Sequence, residues 1–185
     1  MQEPTIGRLH SQRVYDGRIV KVDLDTVRAP DGSELRLEIV RHAGAAAVVP
    51  LLSDPHSPDP SVLLIKQYRY ATNGTIWEVP AGVLEPGESP IACARRELLE
   101  EVGAEAAQID HLTTIYTTPG FTDERIHLFL ASGITVGETS HEHDEFIEVE
   151  ARPISRILDM IRNRELVDAK SIAALLYVAG FHLGL

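Results

Sequence analysis

Residues 18–43 alternate apolar and polar side chains with the two-residue period of a β-strand. Within residues 18–43, two such stretches flank the segment PDGS, in which Asp31-Gly32 supplies turn chemistry, and this pattern predicts a β-hairpin. The segment QRVYDG before the hairpin predicts a third, shorter strand. Further strands are predicted for the apolar runs at 44–52, 61–70 and 75–80.

A helical period replaces the strand period near residue 90. Ser89 is a suitable helix cap, and Pro90 suits the first turn of a helix. Apolar residues then recur at helical spacing and predict a buried stripe, made of Ile91, Ala94, Leu98 and Val102. Gly103 is placed to end this helix.

The rest of the chain predicts three more strands and two closing helices. The strands are expected at 111–118, 125–132 and 146–153, and the helices at about 153–163 and 169–182. Strands before, between and after helices predict an α/β or α+β sandwich with a mixed sheet. Residues 1–42 are all β and are expected to form a small subdomain beside a main domain at 43–185. The pattern leaves open whether that small sheet packs on its own chain or on a partner.

The charge, apolar runs and cysteine count of the chain limit the classes of function that it can have. The 185 residues carry a net charge of −11, which argues against a nucleic-acid partner. An anionic small substrate stays possible if a bound cation reverses the local field. No apolar run reaches the roughly 18 residues of a membrane span, and the first ten residues lack the apolar stretch of a signal peptide. A single cysteine, Cys93, permits no disulfide within the chain, so we expect a cytoplasmic protein.

The predicted helix holds three carboxylates within five residues: Glu97, Glu100 and Glu101. Like charges at helical spacing repel by roughly a few tenths of a kcal/mol per pair. Two interpretations are open. The residues form a solvated acidic face, or they form a site whose repulsion is relieved by a hard cation such as Mg²⁺ or Mn²⁺. The preceding loop contains Gly82 and Gly87, which allow the backbone to approach a ligand closely.

These residues belong to one spaced pattern between Gly82 and Ala104, which reads G-x5-E-x7-R-E-U-x-E-E-x-G-U, where U is aliphatic. The pattern resembles the signature of the Nudix hydrolases, and only Ala104 is smaller than the usual residue at its position. The resemblance implies an α+β fold, an α/β/α sandwich with a mixed sheet, here with a small N-terminal β-sheet subdomain. It also implies an enzyme that hydrolyses a nucleoside diphosphate linked to another moiety, with Glu88 bracing the loop.

The same resemblance implies roles for the other residues of the pattern. Glu97, Glu101 and the carbonyl oxygen of Ala81 are expected to bind the metal. Mg²⁺ is the expected cofactor, with Mn²⁺ able to substitute. Arg96 is expected to fix the glutamates by ion pairs, and Glu100 is a further candidate for the catalytic work.

Three segments outside the pattern resemble the ADP-ribose pyrophosphatase subfamily: IKQYRY (65–70), WEVPAG (77–82) and TPGFTDE (118–124). The substrate contacts that this resemblance implies are Arg69, Glu78, Phe121 and Glu124. Each also has an ordinary structural interpretation: a surface charge on a strand, a strand-edge acid, turn packing and a solvated loop acid, respectively. The N-terminal β segment resembles one that the subfamily exchanges between two subunits, which implies a homodimer.

The segment HEHDEFIEV (141–149) is ambiguous. Its histidines and acids fit a transition-metal site, a solvated loop, or the acidic catalytic loop of the subfamily. In the last case Glu142 is the catalytic base and Glu145 reaches the metal. His143 is a rival for the base, because it stands where the subfamily usually has glutamate.

Together the resemblances predict a Mg²⁺-dependent diphosphatase that converts ADP-ribose, or a related ADP-sugar, into AMP and a sugar phosphate. One alternative is a hydrolase of GDP-mannose or another nucleotide sugar. A second is a module that senses ADP-ribose without cleaving it, which the intact set of Glu97, Glu100 and Glu101 argues against.

Overall fold

The computed structural model describes residues 6–137 and 147–185. The chain forms two compact units. The first comprises residues 1–44 together with 116–125, and the second comprises 45–115 and 126–185.

The first unit is built on a three-stranded antiparallel sheet in the order β1-β2-β3. Its strands are β1 (Gly7–Asp16), β2 (Lys21–Arg28) and β3 (Glu34–Arg41). The predicted hairpin is confirmed, because β2 and β3 pair directly across the turn that holds Asp31. Asp31 Oδ1 accepts hydrogen bonds from the Ser33 amide at 2.9 Å and the Ser33 hydroxyl at 2.6 Å, while Gly32 adopts a φ of +85°. The strand β1 is longer than the segment QRVYDG that predicted it.

The second unit contains all three α-helices of the described residues and the seven remaining strands, apart from Tyr116 at the end of one strand and Arg125 at the start of the next. The strands are β4 (Ala45–Pro50), β5 (Ser61–Arg69), β6 (Gly74–Glu78), β7 (Ala81–Val83), β8 (Ala104–Tyr116), β9 (Arg125–Val136) and β10 (Ile147–Pro153). The helices are α1 (Pro90–Val102), α2 (Ile154–Arg162) and α3 (Ala169–Phe181), with a short 3₁₀ helix at Tyr70–Thr72. The strand orders are β10-β5-β6 and β7-β4-β9-β8. Because β4 runs parallel to β9 and antiparallel to β7, the second sheet is mixed.

Alternate residues of β4 pack into two different hydrophobic clusters. Ala45, Ala47 and Val49 belong to a cluster that includes apolar residues of α2 and α3. Ala46 and Val48 belong to a cluster that includes the buried face of α1. Successive side chains of a strand point to opposite faces of the sheet, so helices cover both faces. The expected α/β/α sandwich with a mixed sheet is confirmed. Among the described helices, none is both long and apolar enough to cross a membrane.

Helix α1 begins and ends where the sequence predicts. Ser89 caps its first turn by accepting a hydrogen bond from the Ala92 amide, and Gly103 ends it with a φ of 63°. Leu98 is buried as predicted, but Ile91 is 41% exposed, so its place in the predicted stripe is wrong. Helical spacing gives the direction of a side chain around the axis, and it does not show whether a neighbour covers the first turn.

Candidate active site

The carboxylates of Glu97 and Glu101 converge on the backbone of β7. Glu101 Oε2 accepts a hydrogen bond of 2.9 Å from the Ala81 amide. The Glu97 carboxylate occupies the space beside Gly82, since a Cβ atom there would lie 1.5 Å from Glu97 Oε1. Both glutamates are buried, with 7% and 2% of their surface exposed. The interpretation of these two residues as a solvated acidic face is therefore wrong.

Arg96 connects the glutamates of the helix to the preceding loop. Its Nη1 donates to Glu97 Oε1 at 2.6 Å and to Glu100 Oε2 at 3.1 Å. Its Nε donates to Glu88 Oε1 at 3.0 Å, and its Nη2 donates to the Val83 carbonyl at 3.2 Å. One guanidinium thus holds three carboxylates and the backbone after Gly82 in a fixed arrangement.

Glu88 braces the loop, as the resemblance implies. Its Oε2 accepts a hydrogen bond of 3.0 Å from the Glu85 amide, and the Glu88 amide donates to the Glu85 carbonyl at 3.0 Å. The hydrogen bond from Arg96, followed by that from the Glu85 backbone, lowers the pKa of Glu88 to about 2.

This pKa predicts a specific loss of stability in acid. The ordinary pKa of Glu88 is 4.5, so its folded-state pKa is depressed. Its contribution is complete above about pH 4.5 and is lost as the pH falls toward 2, because the unfolded chain binds the proton first. We expect the free energy of unfolding, measured in urea, to fall less steeply between about pH 5 and pH 2.5 in Glu88→Gln than in the wild type. Parallel curves for the two proteins would contradict this assignment.

The donor set around β7 fits a hard divalent cation. Two buried carboxylates, Glu97 and Glu101, lie against the backbone of Ala81 and Gly82, whose carbonyl groups add further oxygen donors. Oxygen ligands of this kind suit Mg²⁺ or Mn²⁺. Within residues 6–137 and 147–185, no three His, Cys, Asp or Glu side chains come together as a complete metal site. The other predicted residues, Glu142, His143 and Glu145, lie outside the described residues.

Arg69 and Glu78 form a bidentate ion pair between β5 and β6. Arg69 Nε donates to Glu78 Oε1 at 2.7 Å, and Nη2 donates to Oε2 at 3.0 Å. Only 2% of the Glu78 side chain is exposed, whereas 41% of the Arg69 side chain is exposed. Glu78 also accepts a hydrogen bond from Lys170 at the start of α3, which is held in turn by Asp168. Neither Lys170 nor Asp168 is among the site residues that the sequence predicts.

Phe121 and Glu124 lie in the first unit, in the loop that follows β8. The Phe121 carbonyl accepts a hydrogen bond of 2.8 Å from the Val40 amide, while its side chain is 53% exposed. Glu124 Oε2 accepts a hydrogen bond of 2.8 Å from the Thr117 hydroxyl.

The loop that follows β8 is joined to β3, because Arg41 Nη1 donates to Asp123 at 3.1 Å. A surface cavity of about 630 Å³ is lined by Leu24, Arg36, Leu37, Glu38, Gly120 and Phe121.

Comparison with known proteins connects this geometry to a family. The NUDIX domain model matches residues 41–175. The chain is 36% identical to a methanol dehydrogenase activator of Bacillus methanolicus over 92% of its own length and 90% of that protein. It is also 36% identical to an ADP-ribose pyrophosphatase of Bacillus subtilis (strain 168), over 96% of its own length and 93% of that protein. The crystal structure of an ADP compounds hydrolase has the same fold. The superposition covers the whole of this chain and 96% of that structure, with a TM-score of 0.80 at 23% identity.

Proposed function

This chain belongs to the Nudix family of hydrolases, and we propose that it cleaves the diphosphate of ADP-ribose, or of a related ADP-sugar, to AMP and a sugar phosphate. The observation that carries the proposal is the docking of Glu97 and Glu101 onto the Ala81–Gly82 backbone. Two buried carboxylates at one backbone segment repel each other and favour a bound divalent cation. The name of the Bacillus subtilis relative supports the substrate class.

A divalent cation, Mg²⁺ with Mn²⁺ able to substitute, would be held by Glu97, Glu101, the Ala81 carbonyl oxygen and Glu145. When bound, it supplies charge neutralisation for the diphosphate and lowers the pKa of water. The chain itself provides the rigid frame for these ligands. Arg96 holds both Glu97 and Glu100, which lie one and four residues after it on α1. In the reaction, water adds to one phosphorus and the bridging P–O bond breaks.

Glu142 is the proposed base that takes the proton from the attacking water, because the sequence segment 141–149 resembles the catalytic loop of the subfamily. Arg69 is proposed to contact the anionic substrate through its exposed guanidinium. Phe121 and Glu124 are proposed as further substrate contacts. Support for Phe121 comes from its exposed ring beside a surface cavity. The resemblance implies that Glu78 contacts the substrate, but only 2% of its side chain is exposed, so we propose that Glu78 acts on the substrate through Arg69.

Gly82→Ala tests whether the close approach of Glu97 to the backbone matters. We expect the Mg²⁺ concentration for half-maximal activity to rise by about 10- to 100-fold, because the added Cβ atom displaces the Glu97 carboxylate. The fold should persist, since the end of a flexible side chain is what moves. Gly180→Ala in α3 is the matched control, because a Cβ atom there meets open space and should leave the Mg²⁺ requirement unchanged. A wild-type Mg²⁺ requirement in Gly82→Ala would contradict the proposed ligand set.

The substrate class is tested with a panel of nucleotide sugars. Purified protein, with and without Mg²⁺, is offered ADP-ribose, an ADP-hexose and GDP-mannose, and the released phosphate monoesters are measured with alkaline phosphatase. We expect Mg²⁺-dependent turnover with the highest kcat/KM for an ADP-sugar. A preference for GDP-mannose would establish the nucleotide-sugar alternative. Tight binding of ADP-ribose without cleavage of any compound would establish a sensing module.

We also propose a homodimer in the cytoplasm. Every residue of β1 is exposed in the single chain, and a three-stranded sheet gains stability when a further surface covers it. The exposed apolar side chains near this strand include Ile6, Leu9, Val14, Tyr15, Ile19 and Val20. We expect light scattering to give the mass of two chains for the intact protein. A variant that begins at Gly44 should be monomeric or insoluble, and a soluble, active monomer would contradict the exchange of this segment between subunits.

A further inference from the structure

The first turn of α3 is joined to the end of β6 by two polar contacts. The Lys170 ammonium donates to Glu78 Oε2. The Val79 amide donates to the Ser171 hydroxyl at 2.8 Å. Glu78 is therefore held through its own side chain and through the backbone of the next residue.

Asp168 completes this arrangement as the cap of α3. Its Oδ2 accepts hydrogen bonds from the Ser171 amide at 3.0 Å and from the Ser171 hydroxyl at 2.6 Å. The same oxygen accepts from Lys170 Nζ at 3.0 Å. The position of the Lys170 ammonium is thus set by the helix cap, so Lys170 can act as a fixed support for Glu78.

Arg69 is the exposed end of this network. The side-chain exposures are 2% for Glu78 and 14% for Lys170, against 41% for Arg69. Its Nε and Nη2 bind Glu78, whereas its Nη1 has no protein hydrogen-bond partner within the described residues. The hydrogen bond to Glu78 is the largest cause of the raised pKa of Arg69, and the charges of Glu101 and Asp168 add to it against the opposing effect of burial. The guanidinium therefore lies within the field of a proposed metal ligand.

We propose that Lys170 is a positioning residue: it holds the Glu78 carboxylate, and Glu78 fixes the Arg69 guanidinium so that its remaining N–H groups bind the anionic substrate. This inference rests on the proposed function. The network balances two positive and two negative charges. Loss of Lys170 leaves an excess negative charge beside the anionic substrate. Among the described residues, Arg69 is then the one cation that still binds Glu78.

The test compares kcat and KM for ADP-ribose in the wild type, Lys170→Met, Lys170→Arg and Lys66→Met. Lys66→Met is the matched control, because it removes one lysine charge from β5 outside the network. We expect Lys170→Met to raise KM by about 10-fold or more, the scale of one hydrogen bond to a charged group, with kcat within about 3-fold of wild type. Lys170→Arg should restore a near wild-type KM, and Lys66→Met should not change it.

A double-mutant cycle shows whether Lys170 acts through Arg69. In an Arg69→Lys background, the rise in KM caused by Lys170→Met should be clearly smaller than in the wild-type background. A wild-type KM in Lys170→Met, an equal rise in both backgrounds, or a fall in kcat at unchanged KM would each overturn the inference.

If Lys170→Met does not fold, Lys170→Gln keeps one donor for Glu78 without the charge. Its KM should rise in the same way, and an unchanged KM would again overturn the inference. A wild type that cleaves no ADP-sugar would show instead that the proposed function itself has failed.

Discussion

Glu101→Gln is expected to lower kcat by at least about 10²-fold while the protein stays folded, the scale of a lost electrostatic contribution to catalysis. The substitution is nearly isosteric. The glutamine oxygen can still accept the hydrogen bond from the Ala81 amide that Glu101 Oε2 accepts at 2.9 Å. What disappears is one negative charge in a side chain that is only 2% exposed. Steady-state kinetics in saturating Mg²⁺, with ADP-ribose as the substrate, measure the effect.

Thermal unfolding separates the loss of metal binding from a loss of structure. Without Mg²⁺, Glu101→Gln should be no less stable than the wild type, because it removes repulsion between buried carboxylates. Added Mg²⁺ should raise the melting temperature of the wild type more than that of the variant. Glu105→Gln, on an exposed position of β8, is the matched control and should behave like wild type in both assays. Wild-type turnover, or equal Mg²⁺-induced shifts, would contradict the role of Glu101 as a ligand.

Local chemistry explains which elements the sequence predicts well. The bounds of α1 follow from Ser89 and Gly103, whose capping roles depend on residues within one turn. The hairpin between β2 and β3 follows from Asp31 and Gly32 for the same reason. In both cases the residues that determine the structure are neighbours in the chain, so the pattern can be recognised without knowledge of the rest of the fold.

Contacts between distant segments explain most of what the sequence misses. The strand β7 spans three residues, too few to show a period, and it forms because it pairs with β4. The strand β8 begins at Ala104, earlier than its alternating part indicates. The ion pair of Lys170 with Glu78 joins residues 92 positions apart. The sequence signal for the cap of α3 is local, because Asp168 precedes Ser171 by three residues. This signal does not reveal that Lys170 binds Glu78.

In the candidate site, too, local spacing predicts one part of the arrangement, and contacts between distant segments determine the rest. Spacing alone places Glu97 and Glu101 on one face of α1, one turn apart. The repulsion between them suits a cation, and the same spacing also suits a solvated face. Burial decides between these interpretations, and burial depends on Gly82, whose missing side chain makes room for the Glu97 carboxylate. That requirement is visible only when β7 and α1 are brought together.

Removal of the catalytic base is expected to lower kcat more than any other substitution. Glu142→Gln should lower kcat by about 10²- to 10⁴-fold with little change in KM, as expected when a general base is removed and substrate binding is retained. His143→Ala should then remain close to wild type. Both variants are measured with ADP-ribose in saturating Mg²⁺ across a range of pH.

The pH profile distinguishes the two candidates even when both variants are impaired. A histidine base would make the wild-type activity fall as the pH drops through the ordinary imidazole pKa of about 6.5, and that limb would vanish in His143→Ala. Glu145→Gln serves as the comparison, because the loss of a metal ligand should be partly rescued by high Mg²⁺ or Mn²⁺, whereas the loss of a base should not. If all three variants turn over like wild type, the segment carries no chemistry. The base must then come from α1, where Glu100 is the next candidate, because Arg96 holds its carboxylate beside Glu97 and 38% of its side chain remains exposed to solvent.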